Sequence, residues 1–193
     1  GFPLGSSGPI FDGIIAHELG HQFSAMHTMA ANNGGCDGNV VGASGWEPGG
    51  GSTIMAYAGT CSGNEYQVFS DNYFHGGTVA QITHFITVGS GRTCGTQSPS
   101  GNNAPVVTVP SASYSIPYGT PFVLNANATD ADATDVLTYN WEQMNAIGGM
   151  GTSSPPSATA SGGPLFRSFI PSTSSTRYFP SKEVLLGNAS GTY

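Results

Sequence analysis

The sequence predicts an α+β chain: a segment of helices and long loops over residues 1–97, a linker over 98–104, and an all-β sandwich module, complete or not, over 105–193. Three observations predict it. Two stretches of the first half carry apolar residues every three or four positions, the period of a helix with one distinct face. Beyond residue 105 the apolar residues alternate or fall in short runs between Pro, Gly and Ser clusters, as strands do between turns. Gly (29) and Pro (13) are too frequent for a helical bundle, and a hydrophobic share of 38% is low for one well-filled core.

The first helix is expected over 11–26, after Gly8-Pro9, where Ile14, Ile15, Leu19, Phe23 and Met26 share the spacing. Residues 30–63 are crowded with Asn and Gly (Asn32-Asn33-Gly34-Gly35, then Gly49-Gly50-Gly51), which predicts turns and irregular loop of the length that functional loops have. Val79, Ile82, Phe85 and Ile86 predict a second helix over 77–88. The run Gln97-Ser98-Pro99-Ser100-Gly101-Asn102-Asn103 is polar and aperiodic and reads as the linker. Strands are then expected at Phe122-Val123-Leu124, at the alternating Leu137, Tyr139 and Trp141, and near 165–170 and 184–186. A module of roughly 90 residues has the size of an immunoglobulin-like sandwich.

The chemistry concentrates in His17-Glu18-Leu19-Gly20-His21, followed by His27. Residues four apart on a helix share a face, so His17 and His21 can hold one ion between them with Glu18 beside the pair. Zinc accepts nitrogen ligands, and a site with three protein ligands keeps a fourth position for water, whose proton a neighbouring carboxylate can take. Continued helix would carry His27 about 9 Å beyond His21 and around the axis, so the helix is expected to break between them, with a bend near Ser24. Cys36 and Cys61 flank the loop that contains Met55, and a bridge between them would close about 25 residues of a stretch too Gly-rich to hold itself.

The spacing HExxHxxGxxH is the signature of the metzincin metallopeptidases, and His17, Glu18, His21 and His27 match it one for one, with Ser24 standing where the family usually has Gly. Ser52-Thr53-Ile54-Met55-Ala56-Tyr57 supplies a methionine turn downstream. The run HELGHQFSAMHT, EPGGGSTIMAYAGTC and SDNYFH resembles bacterial secreted reprolysin-like peptidases over roughly residues 1–97. The resemblance implies the lower, C-terminal part of a metzincin catalytic domain, with active-site helix, Met-turn and C-terminal helix. It implies zinc on His17, His21 and His27, Glu18 as general base, Met55 as an apolar floor beneath the ligands, and protein or peptide substrates. Tyr57 stands where the similar astacins and serralysins carry a tyrosine that reaches the zinc or the developing oxyanion; it also reads as a packing residue. By the same resemblance, substrate is aligned along an edge strand of a subdomain upstream of the catalytic helix. The sequence is therefore expected to be an internal stretch of a longer chain, a poor peptidase alone, with the other half of the domain as a candidate partner and as the source of a cysteine for Cys94. Residues such as Asp130-Ala131-Asp132 and Leu137-Thr138-Tyr139-Asn140-Trp141-Glu142 look like the cadherin-like or immunoglobulin-like modules that follow such domains.

Other polar groups have plainer readings. His75 and His84 lie outside the motif and read as structural or solvated, and Glu47 reads as a loop anchor. Asp130, Asp132 and Asp135 offer oxygen ligands for calcium and equally make a polar turn. A net charge of -7 leaves no footprint for a phosphate backbone, so nucleic acid is excluded as a partner. Apolar runs of four or five residues are far below the ~20 that cross a bilayer, so no membrane partner is expected. Few lysines, three cysteines and abundant Ser, Thr, Asn and Gly point to a secreted protein. The rival reading is a non-catalytic secreted adhesion or binding protein with a structural metal. Glu18 disfavours it, because structural zinc is usually closed by four protein ligands and needs no base. A zinc amidase is disfavoured by the Met55 turn.

Overall fold

The computed structural model describes residues 9–146, 156, 160 and 162–187, with side chains described from Gly13 onward, so Phe11 lies outside them. The chain has mixed α+β structure with few helices and small antiparallel sheets, and it divides into two units. One lies within Gly1–Gly95 and Glu142–Ser168, the other within Thr96–Trp141 and Phe169–Tyr193.

In the first unit, α1 spans Pro9–Gln22, with proline at the position where its missing N–H costs nothing. It ends where the sequence requires a break. Ser24 adopts φ 66°, the Ala25 N–H bonds back to the Gly20 carbonyl (3.0 Å) and the Ser24 N–H to the His21 carbonyl (3.0 Å). This is a Schellman motif, and it turns the chain back across the last turn of α1. The apolar spacing identified the helix but not its buried side. Ile14, Ile15, Leu19, Phe23 and Met26 are 40–53% exposed, whereas Ala16 and Gly20, small residues four apart, pack inward on a cluster of Ala25, Ile54 and Met55.

Residues 23–75 are loop, as the Gly and Asn content predicts, with one 3-10 turn at Gly34–Cys36. Backbone bonds stitch it: Thr28 N–H to Met55 O (3.1 Å), Glu47 N–H to Thr28 O (2.9 Å), Ile54 N–H to Tyr73 O (3.0 Å) and Asp71 N–H to Ser52 O (2.8 Å). Cys36 and Cys61 form a disulfide with Cα atoms 5.0 Å apart, inside a second cluster with Met29, Ala31 and Ala56. Helix α2, Gly76–Thr87, starts one residue before the predicted span and is capped by His75, whose Nδ1 accepts from the Gly77 N–H.

The described residues of 142–168, which the sequence placed in the β segment, group with the first unit. The Glu142 carboxylate accepts the Gly76 N–H at the start of α2, and the Tyr73 hydroxyl donates to Ser168 Oγ (2.7 Å). The predicted strand near 165–170 is absent among the described residues, because the Leu165 and Phe166 N–H groups go to the Gln143 side-chain oxygen (2.7 and 3.1 Å) and not to a ladder.

The second unit contains two antiparallel pairs. β1 (Val106–Thr108) pairs with β3 (Asn127–Thr129), and β2 (Phe122–Asn125) with β4 (Thr176–Phe179), where the Phe122 and Phe179 rings stack at 4.7 Å. Leu137, Tyr139 and Trp141 alternate in burial with exposed Thr138 and Asn140, the predicted period of two, although only Tyr139 makes a ladder contact, with Ser172. Residues 184–186, expected as a strand, are not one. α3 spans Lys182–Leu185, because Ser181 follows Pro180 and caps the turn by accepting the Val184 N–H on its hydroxyl. No helix among the described residues is long and apolar enough to cross a membrane.

Candidate metal centre

The three motif histidines converge. His21 Nε2 lies 3.1 Å from His17 Nε2 and 3.1 Å from His27 Nε2. Helix α1 supplies the first two, one turn apart, and the Schellman reversal at Ser24 brings the third back. Each Nδ1 meets a backbone carbonyl: His17 that of Ile54 (2.7 Å), His21 that of Ala25 (2.8 Å) and His27 that of Asn39 (2.7 Å). A carbonyl can only accept, so Nδ1 carries the proton and Nε2 of a neutral ring is a bare lone pair.

Three lone pairs facing one another repel unless a cation lies between them. The edge of a tetrahedron with metal–nitrogen bonds of ~2.0–2.1 Å is about 3.3 Å, close to the observed spacing, so the donor set fits zinc. Burial holds His17 below the usual imidazole range, opposed by its bond to Ile54, with His21 lowering it further and the charge of Glu18 raising it. His27 is lowered likewise, chiefly by burial. Both shifts favour the neutral, ligating form.

Met55 is fully buried and approaches α1 at Gly20, where a Cβ would stand 2.4 Å from its sulfur. Any larger residue at position 20 would force the Met55 side chain to move, and Met55 packs with Ala25 and Ile54 against Ala16 of α1. Tyr57 sets its ring against His27 (centroids 4.5 Å apart) and His17 (5.7 Å), so it borders the cluster. Its phenol is pushed up by burial first and by the charge of Glu18 second. Glu18 is exposed, next to His17, and its charge reaches His17, His27 and Tyr57. The structure thus brings together His17, Glu18, His21, His27 and Tyr57, while Met55 packs against α1 at Gly20.

His75 is buried, caps α2 and stacks on Trp46 (5.5 Å), while His84 is exposed on α2. Asp130, Asp132 and Asp135 bring carboxylate oxygens within 4.8 Å of one another, but Asp132 is engaged by the Asn103 backbone N–H (2.7 Å) and side-chain amide (3.1 Å), and Asp130 by the Asp132 N–H (2.9 Å). Cys94 is exposed and unbridged. The residues that the sequence did not reveal are the carbonyls of Ala25, Asn39 and Ile54, since any residue type carries a carbonyl.

The convergent imidazoles form a cluster able to hold a metal ion. Residues 4–84 match the sequence model of the metallo-peptidase family M12B, reprolysin-like, and this match, over less than half of the chain, supports a metzincin-like metallopeptidase. Peptidases of that family normally use zinc and act on proteins or peptides. No curated protein and no solved structure matched the chain.

Proposed function

We propose that the chain is part of a secreted zinc endopeptidase that hydrolyses peptide bonds in proteins, with His17, His21 and His27 as the zinc ligands. The observation that carries this is the set of three Nε2 lone pairs turned on one point by three carbonyl-bound Nδ1 groups. Zinc, when bound, supplies Lewis acidity toward the scissile carbonyl and toward the attacking water. Glu18 takes the proton of that water and passes it to the leaving amine. Tyr57 keeps its phenolic proton at neutral pH, given its raised pKa, and can donate it in a hydrogen bond to the developing oxyanion. Met55 keeps the floor of the site apolar.

The disulfide and the scarcity of lysine support export. The exposed Ile14, Ile15, Leu19, Phe23 and Met26 support the reading that an upstream subdomain, as in the family, covers the outer side of α1. The paired strands and the alternation at 137–141 support a sandwich-like module that binds or spaces. The test loads the full-length protein, with the other half of its catalytic domain, with zinc and follows cleavage of an unfolded protein. Glu18→Ala is expected to retain zinc and to lose at least ~100-fold in rate, because base and metal act as one unit. Anomalous scattering at the zinc edge locates the ion. A Glu18→Ala variant as active as its parent, or zinc placed away from the three histidines, overturns the reading.

A further inference from the structure

We infer that Glu47 is a positioning residue of the metal centre: its buried carboxylate locks the turn that carries Ile54 and Met55 to the loop segment that follows His27, and so holds His17 and His27 convergent. The inference rests on the zinc reading of that site.

Glu47 is 1% exposed, and its carboxylate bonds to Thr28, Ser52 and Thr53 and to none of the three histidines. Its Oε2 accepts the backbone N–H groups of Ser52 (2.7 Å) and Thr53 (3.1 Å), and its Oε1 accepts the hydroxyls of Thr28 (2.7 Å) and Thr53. Four donors match the four lone-pair directions of an ionised carboxylate, and all four are neutral. Ser52 Oγ lies 3.2 Å from Oε2 and 3.2 Å from the Ser168 carbonyl, so its single proton serves one of them at a time. Gly51, at φ 71°, leaves the space: a Cβ there would stand 3.2 Å from Glu47 Cδ and 2.5 Å from the Ala56 Cβ.

The two segments that Glu47 joins are the ones that set the ligands. Thr28 directly follows His27, and its N–H bonds to the Met55 carbonyl (3.1 Å) while its carbonyl accepts the Glu47 N–H (2.9 Å). Thr53 directly precedes Ile54, whose carbonyl holds His17 Nδ1. The turn has no regular secondary structure of its own to fix that carbonyl. Without the carboxylate, two backbone N–H groups and two hydroxyls are left in a buried site, and the turn must move to satisfy them.

The test measures zinc affinity of the 193-residue chain by chelator competition, the visible absorption of its cobalt-substituted form, and folding by circular dichroism. Glu47→Gln retains one oxygen for the Ser52 and Thr53 N–H groups, and its amide can donate to hydroxyls that turn to accept, so zinc affinity is expected within about threefold of the parent. Glu47→Ala is expected to fold with zinc affinity reduced about 10–100-fold and with altered cobalt bands, the range that lost support of metal ligands usually costs. If Glu47→Ala does not fold, Thr28→Val removes one of the four donors with the shape kept, and an affinity loss of at least about threefold is expected. Folded Glu47→Ala, or failing that folded Thr28→Val, with parental zinc affinity and cobalt bands overturns the inference. A parent chain that binds no zinc overturns the zinc reading itself, and this is seen before any variant is made.

Discussion

Replacing Ser24 tests whether the bend that delivers His27 is strained. Ser24 holds φ 66° in an exposed position at the end of α1, so its side chain gives up little burial when changed. A non-glycine residue in the left-handed region costs about 1–2 kcal/mol. Glycine removes that cost but restores about 0.5–1 kcal/mol of entropy to the unfolded chain, which leaves a net gain of about 0–1.5 kcal/mol for Ser24→Gly. Ser24→Val goes the other way, because a β-branched residue is a true outlier at positive φ, and a loss of at least about 1 kcal/mol is expected. The assay is urea unfolding followed by Trp46, which lies in the first unit, in a Trp141→Phe background that silences the tryptophan of the second unit. Equal slopes in all variants let the midpoints report stability alone. A glycine variant less stable than the parent, or a valine variant equal to it, would show that the left-handed turn carries no strain.

Two further outcomes follow from the geometry. The Cys36–Cys61 bridge closes a loop with a separation of 25, so replacing both cysteines by serine should lower the stability of the first unit by about 3.5 kcal/mol on the chain-entropy estimate; an unchanged urea midpoint would refute it. Asp132 is held below its ordinary carboxylate range, first by the Asn103 backbone N–H and then by its side-chain amide. A lowered folded value means stability that is present above the unfolded pKa and lost as pH falls through the folded one. Asn103→Ala should therefore raise the Asp132 pKa only part of the way, since the backbone donor remains, and carboxyl-carbon NMR titration that shows no change would refute the assignment.

What could be read in advance was what short-range pattern encodes. The four-residue step from His17 to His21 fixes a shared face, and the six-residue step to His27 is incompatible with continued helix, so the break near Ser24 followed from helical geometry alone. The helix at 76–87 was legible for the same reason, from Val79, Ile82, Phe85 and Ile86. The strand expected at 184–186 failed because apolar run length does not distinguish a strand from one helical turn, and the Ser181 cap decided it. The buried side of α1 was illegible because Ala16 and Gly20 leave almost no hydrophobic signal, while the residues that do, such as Leu19, stay exposed.

The supports of the site were hidden for a different reason. A carbonyl at Ile54, Ala25 or Asn39 is common to every residue type, and its use depends on where the chain happens to pass. Glu142 meets Gly76 across 66 positions, and Glu47 meets Ser52 only because Gly51 reverses the chain between them. Ligands thus announce themselves by type and spacing, since the metal demands particular atoms on one face. The residues that hold ligands in place answer to backbone geometry, and that is fixed only when distant segments have packed. Glu47 lies between these cases: a carboxylate in a Gly-rich loop is visible in the sequence as an anchor, and the four donors that make it an anchor of the metal centre come into view only with the fold.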